Sequence, residues 1–220
     1  VVFLRGPPGR SLKRVWDFHM VLAYHVIVAA YGFWLPNDQR GSWSDFVRRW
    51  ELLRFGPATK TQSRRSVAGE PFDWAKRAAA RAALMYPPVT FTGLQALAIA
   101  AGFADGVRRS GYQILACAIL PDHVHLVIGR HSYLVEQVVN RLKGSATREL
   151  MKRNLHPLNG HLTRFGDIPS PWAQLHWKVY LDSSDDILRA IEYVNENPLK
   201  ENKKRQNWKF VMPFELWRHT

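Results

Sequence analysis

Residues 119 to 128 read ILPDHVHLVI, two apolar runs on either side of Pro121-Asp122. Proline fixes φ for a tight turn and aspartate bonds the backbone just beyond it, so the pair predicts a hairpin connection. One strand then covers Tyr112 to Leu120 and a second covers His123 to Ile128. Alternate side chains of a strand share a face, which points His123 and His125 the same way. Two imidazoles on one face can share a metal ion or grip a phosphate, or they can be half-exposed polar residues on a solvated face. The spacing alone leaves both readings open. Two histidines with no cysteine cluster are too few for a closed zinc site, so a metal site here keeps positions open for water or substrate.

Working outward, Leu94, Leu97, Ala98, Ala101 and Val107 recur at helical spacing, and Gly111 ends a helix over Thr92 to Arg109. Beyond the hairpin, Leu134 to Met151 is a second helix, with Arg141, Lys143, Arg148, Lys152 and Arg153 around its apolar positions. Tyr24 to Tyr31, rich in β-branched and aromatic residues, is a first strand, and Gln174 to Leu181 a fourth. Ser183 or Ser184 caps a last helix whose first turn holds Asp185 and Asp186, and Pro198 ends it at Asn197. The order β, insertion, α, β, β, α, β, α predicts an α+β fold: a mostly antiparallel sheet with helices largely on one face.

The formal charge of +13, from 31 Lys+Arg against 18 Asp+Glu, favours a polyanionic partner, either nucleic acid or an anionic membrane surface. The apolar segment Val21 to Ala30 is too short to span a bilayer, and Val1 to Arg14 lacks the ordering of a signal peptide. A soluble, intracellular protein is expected. The single cysteine, Cys117, fits a reducing compartment and reads as a small buried side chain.

A partner for the histidine face comes from AIEYVNENP near the end of the chain. Tyr193 and Asn197 are neighbours on one helical face, and Tyr193 lies roughly 160° around the wheel from Ile191, off the apolar stripe Ile187, Ala190, Ile191 and Val194. The helix does not need this tyrosine for packing. Such a residue can be a plain surface aromatic. Beside two imidazoles, an amide one turn later and a positive surface, it also matches what nicking DNA requires. A phenol can attack a phosphate and later leave, a metal held by neutral imidazoles can polarise that phosphate, and cations can hold the strand.

PDHVHLVI at 121–128, YVNENP at 193–198 and the ENPLK ending resemble the single-tyrosine HUH transposases (His, hydrophobic, His), in particular the REP-associated tyrosine transposases beside the insertion-sequence enzymes. The resemblance covers Tyr24 to Tyr31 and about Thr92 to Lys200. It implies a ferredoxin-like, RRM-like core with an insertion after the first strand, cutting and rejoining single-stranded DNA at or beside a hairpin with Mg²⁺ or Mn²⁺. His123 and His125 match the metal-binding histidines, Tyr193 the nucleophile that forms a 5′-phosphotyrosine, and Asn197 the residue that completes the metal site. It further implies a bacterial, cytoplasmic, nucleoid-associated protein, monomer or homodimer, with no membrane partner.

One domain over 15–220 is expected, with 32–90 an insertion longer than the family core and 200–220 a basic and aromatic tail. Arg48 and Arg49 in the insertion, and Lys200, Lys203, Lys204 and Arg205 in the tail, are the candidate phosphate contacts. Trp208, Phe210, Phe214 and Trp217 read better as packing on the core than as stacking platforms. His25 and His176 lie on strands and could approach the site if their faces are right, although a structural role is the plainer reading. Asp122 could orient an imidazole or simply serve its turn. The rival functional reading is a DNA-binding regulator that keeps the fold and no longer cuts. An RNA-binding RRM module ranks last, since its aromatic signature K/R-G-F/Y-G/A-F-V-x-F/Y is missing.

Overall fold

The predicted hairpin forms: β2 (Ile114–Ile119) and β3 (His123–Gly129) pair antiparallel, and Leu120 N donates to His123 O across the Pro121-Asp122 turn at 2.8 Å. The computed structural model describes residues 20–33, 35, 52 and 73–217. β1 (Ala23–Ala30) pairs antiparallel with β3 on one side and with β4 (Trp172–Leu181) on the other, giving the order β2-β3-β1-β4. With one long helix between β1 and β2 and another between β3 and β4, this is the ferredoxin-like βαββαβ arrangement. β4 begins two residues earlier than its alternation suggested, because Trp172 turns its ring into the core against Phe91, centroids 5.0 Å apart.

The chain leaves and re-enters the sheet through one neck. Val89 N donates to Tyr31 O at 2.8 Å, and Gly32, at φ 81°, lies so close to Pro88 that an added Cβ would sit 2.7 Å from the proline Cβ. Both the positive φ and this approach favour glycine. Between them the described part of the insertion holds α1 (Trp74–Ala82), a helix that the sequence pattern alone does not resolve, started by Asp73 Oδ1 accepting from Lys76 N at 2.9 Å. The expected phosphate contacts Arg48 and Arg49 lie outside the described residues.

Two long helices cover one face of the sheet. α2 (Gly93–Ser110) opens on a capping box, Thr92 Oγ1 accepting from Gln95 N while Gln95 Oε1 accepts from Thr92 N. α3 (Val135–Lys152) crosses it at Gly102, where an added Cβ would lie 2.5 Å from Ala146 Cα and 2.7 Å from Ser145 O. Both atoms are backbone, so this crossing cannot yield to a larger residue. Phe103, Ile99, Leu142 and Leu150 interdigitate there with Val26, Val28, Val124, Leu126 and Ile128 from the sheet.

α4 (Ser184–Lys200) takes the opposite face, laying Ile187, Ala190 and Val194 on Ala23, Leu115, Val127 and Leu181. Ser183 Oγ accepts from Asp186 N at 3.1 Å, and Asp185 and Asp186 occupy the first turn as expected. One boundary differs from the sequence reading: Pro198 lies inside the helix, which continues to Lys200. A proline so near the C-terminus removes a single intrahelical donor where unpaired carbonyls already accumulate. Its own carbonyl accepts from Glu201 N and Lys203 N at 3.1 and 2.8 Å.

The tail then closes the outer edge of β2. Gln206 works as a backbone mimic, its Oε1 accepting from Ile119 N at 2.7 Å and its Nε2 donating to Ile119 O at 2.8 Å. Val211 bridges Ile114, and Met212 N donates to Ile114 O at 2.7 Å. An edge so occupied cannot template aggregation. Trp208 and Phe210 pack on the main core and Phe214 on the α4 side, as their packing reading anticipated; α5 (Phe214–Trp217) is the last described element.

Candidate metal and nucleophile site

Strand parity decides which histidines meet. In the β1–β3 register Ile27 faces His125 and Ala29 faces His123, while His25 sits opposite Val127. His25, His123 and His125 therefore share the α4 face, and the alternate residues Val26, Val28, Val124 and Leu126 fill the other core. His123 Nε2 lies 2.9 Å from His125 Nε2, His125 Nδ1 lies 3.1 Å from His25 Nε2, and His123 Nδ1 lies 2.6 Å from Asp122 Oδ1. Phe33 stacks on His123 with centroids 4.9 Å apart, and Trp177 meets His25 edge-on at 5.6 Å. His176 pairs with Val28 and so faces the α3 side, away from this site.

His125 is 2% exposed. Burial, with the charges of His123, His25 and Lys200 adding to it, pushes its pKa down to about 2, and burial alone takes His25 down to about 4. Both rings are neutral near pH 7 and keep a lone pair for a ligand.

α4 brings Tyr193 over these rings. Its ring centroid is 5.7 Å from that of His125 and 5.6 Å from that of His25, and the side chain remains 44% exposed, open to a substrate from solvent. Lys200 holds its ammonium 4.3 Å from the centre of the Tyr193 ring. Asn197, one turn after Tyr193, is buried and donates from Nδ2 to Tyr193 O at 3.1 Å, which leaves Oδ1 as the acceptor end of the amide. The bond described for Asn197 is thus within its own helix, whereas Tyr193 has direct ring contact with the histidines.

Two residues gain importance only in three dimensions. Asp122, His123 and Glu201 each offer one ligand atom within 4.8 Å of the others, although Glu201 is far from the histidines in sequence. It caps the C-terminus of α4 and also pairs with Lys203 at 3.1 Å. His25 is the other, since its contact with His125 depends on a strand register that one sequence does not display. Of the tail cations, Arg205 approaches Glu196 at 3.7 Å and Lys204 is exposed.

The donor set fits a divalent ion. The two Nε2 atoms lie 2.9 Å apart, at hydrogen-bond distance, and an ion held by both would replace the proton that one of them carries there. Neutral imidazoles with a nearby carboxylate make a mixed nitrogen and oxygen donor set that could hold a divalent ion.

Residues 90–165 match the family model described as Transposase IS200 like. Over this span the chain is similar to the IS200-like transposases. The IS200-like span contains α2, the hairpin with both histidines and α3; His25, Tyr193 and Asn197 lie outside it and join it through the sheet register and the contacts above. Among solved structures, the chain is similar to a REP-associated tyrosine transposase bound to a REP hairpin, at 11% identity and TM-score 0.42, covering 82% of this chain and 68% of that one. It is also similar to a candidate transposase of Deinococcus radiodurans R1, at 15% identity and TM-score 0.40, covering 91% of this chain and 100% of that one. No protein of curated function matches significantly. Among the described residues, no helix is long and apolar enough to cross a membrane.

Proposed function

We propose that this chain is a metal-dependent enzyme of transposase type that nicks and rejoins single-stranded DNA at or near hairpins. The observation that carries the reading is the convergence of the His123 and His125 Nε2 atoms, 2.9 Å apart, beneath the half-exposed ring of Tyr193. His123 and His125 would hold Mg²⁺ or Mn²⁺ with Asn197 Oδ1, and Glu201 stands near His123 as a candidate further oxygen. When bound, the ion supplies Lewis-acid polarisation of the scissile phosphate.

Tyr193 Oη then attacks phosphorus. The O–P bond to tyrosine forms as the bond from phosphorus to the 3′ oxygen breaks, the phenol proton passes to solvent, and the departing oxygen gains a proton as a free 3′-OH. The product is a 5′-phosphotyrosine, which a second 3′-OH can attack in reverse to restore the phosphodiester. No ATP is consumed, because the phosphotyrosyl ester retains much of the energy of the broken phosphodiester. Lys200 holds a cation against the phenol ring, and Lys203, Lys204 and Arg205 would extend positive charge along the tail toward the flanking phosphates. The net charge of +13 suits such a partner.

The test is incubation of the full chain with end-labelled single-stranded DNA carrying hairpins from its genomic neighbourhood, in Mg²⁺, Mn²⁺ or EDTA, followed by a denaturing gel. A protease-sensitive, metal-dependent adduct lost in Tyr193→Phe is the expected result. DNA binding without an adduct under every metal would favour a regulator that binds and does not cut.

A further inference from the structure

An imidazole ligates only through a nitrogen that carries no proton, so binding through Nε2 requires the ring proton on Nδ1. Neutral imidazole in water favours the opposite form, with the proton on Nε2. Both site histidines must therefore be held in their less favoured tautomer, and the usual means is an acceptor placed against Nδ1–H. For His123 that acceptor is a carboxylate: Asp122 Oδ1 stands 2.6 Å from Nδ1, and an ionised carboxylate can only accept.

Among the described residues, His125 has no carboxylate at its Nδ1. It has His25 Nε2, at 3.1 Å, in a pair that is buried on both sides. We propose that His25 is the positioning residue for His125. With its own proton on Nδ1, His25 accepts from His125 Nδ1–H through a bare Nε2, which clears the His125 Nε2 for an ion. The opposite arrangement, His25 donating to His125 Nδ1, forces the His125 proton onto Nε2. There it points at His123 Nε2 only 2.9 Å away and closes the site. One tautomer of the pair opens the metal position and the other blocks it.

The choice of an imidazole is intelligible from its surroundings. His25 is buried under Trp177 and Tyr193, where a carboxylate would be a buried charge, unlike the part-exposed Asp122. A neutral acceptor holds the same tautomer without that desolvation cost.

This inference rests on the metal-binding reading of His123 and His125, and its test separates the two. Free Mn²⁺ is measured by electron paramagnetic resonance in titrations of the full chain, and histidine tautomers are read from two-bond ¹H–¹⁵N correlations in EDTA, where no ion holds the Nε2 atoms. The comparison is among wild type, His25→Leu, which cannot accept, and His25→Gln, whose Oε1 can. His25→Leu is expected to weaken Mn²⁺ binding about 10- to 100-fold and to move the His125 proton to Nε2. His25→Gln should recover affinity to within a few-fold and restore Nδ1–H. Binding of single-stranded DNA in EDTA should be the same in all three. Wild-type Mn²⁺ affinity in His25→Leu, or failure of a natively folded His25→Gln to recover, overturns the role of His25 alone. A wild-type chain that binds no Mn²⁺ overturns the metal reading and this one with it.

Discussion

The two faces of the sheet are made by the same strands and serve opposite ends. On the α2–α3 face, Val26, Val28, Val124, Leu126 and Ile128 are at most 1% exposed and belong to the main hydrophobic core. On the α4 face, the residues between them are His25, His123 and His125, linked nitrogen to nitrogen beneath the exposed Tyr193. Because side chains alternate with period two, a one-residue slip of β3 would exchange a sealed core for a row of buried imidazoles. The site is therefore held in register by the packing behind it. Stability and chemistry occupy alternate positions of one segment.

The sharpest break of this comparison is Tyr193→Phe. It removes one hydroxyl from the open face, so the covalent adduct should vanish on the gel while affinity for single-stranded DNA stays within about two-fold. The fold should be indifferent to it. Next comes a pair of adjacent residues on opposite faces. Leu126→Ala is expected to lower unfolding free energy by about 2–5 kcal/mol in denaturant titration and leave Mn²⁺ affinity nearly intact. His125→Ala should do the converse, losing most Mn²⁺ affinity with a smaller shift of the unfolding midpoint. Equal effects of the two on both measurements would dissolve the division of labour between faces.

A smaller effect sharpens where the open face ends. Replacing Lys203, Lys204 and Arg205 by Ala should weaken DNA binding and flatten the plot of log affinity against log salt by up to about 2, since each single-strand phosphate no longer neutralised removes roughly 0.7 from the slope. An unchanged slope would confine the DNA to α4 and the histidines.

The smallest effect concerns an exception on the sealed side. Lys143, buried on α3, donates to Ala173 O at 2.7 Å, and burial lowers its pKa from 10.5 to about 8. Between those values the unfolded chain holds a proton that the native one has lost, so this group makes stability rise with pH across the window. Below pH 8 the buried ammonium opposes folding fully. Unfolding curves from pH 7.5 to 10.5 should show that rise for wild type and lose it in Lys143→Met.

Most of the sheet could be read from the chain because each strand carries its own alternation and Pro121-Asp122 marks the hairpin. The off-stripe position of Tyr193 was equally legible, since a helical wheel needs only local spacing. Of His25 only its place on a strand, able to approach the site if its face is right, could be read, and of Glu201 nothing. The first becomes a neighbour of His125 through the β1–β3 register, and the second approaches His123 only because α4 folds back over the sheet. Neither relation leaves a trace in a single sequence. The end of α4 was misplaced for a different reason: proline stops a helix by removing a donor, and this one sits where few donors remain to be lost.

Gln206 gives the tail its last consequence. With both ends of its amide bound to Ile119, it fastens the chain immediately after Lys203, Lys204 and Arg205 to the rim of the sheet. A basic arm that is free in solution loses conformational entropy when it wraps a strand, and that loss weakens the complex. Here much of the disorder is already gone once the protein folds, so a strand bound as proposed would meet cations whose backbone is in place. Cutting the clasp with Gln206→Ala would return that freedom to the arm and shorten the lifetime of a complex without touching a single charge.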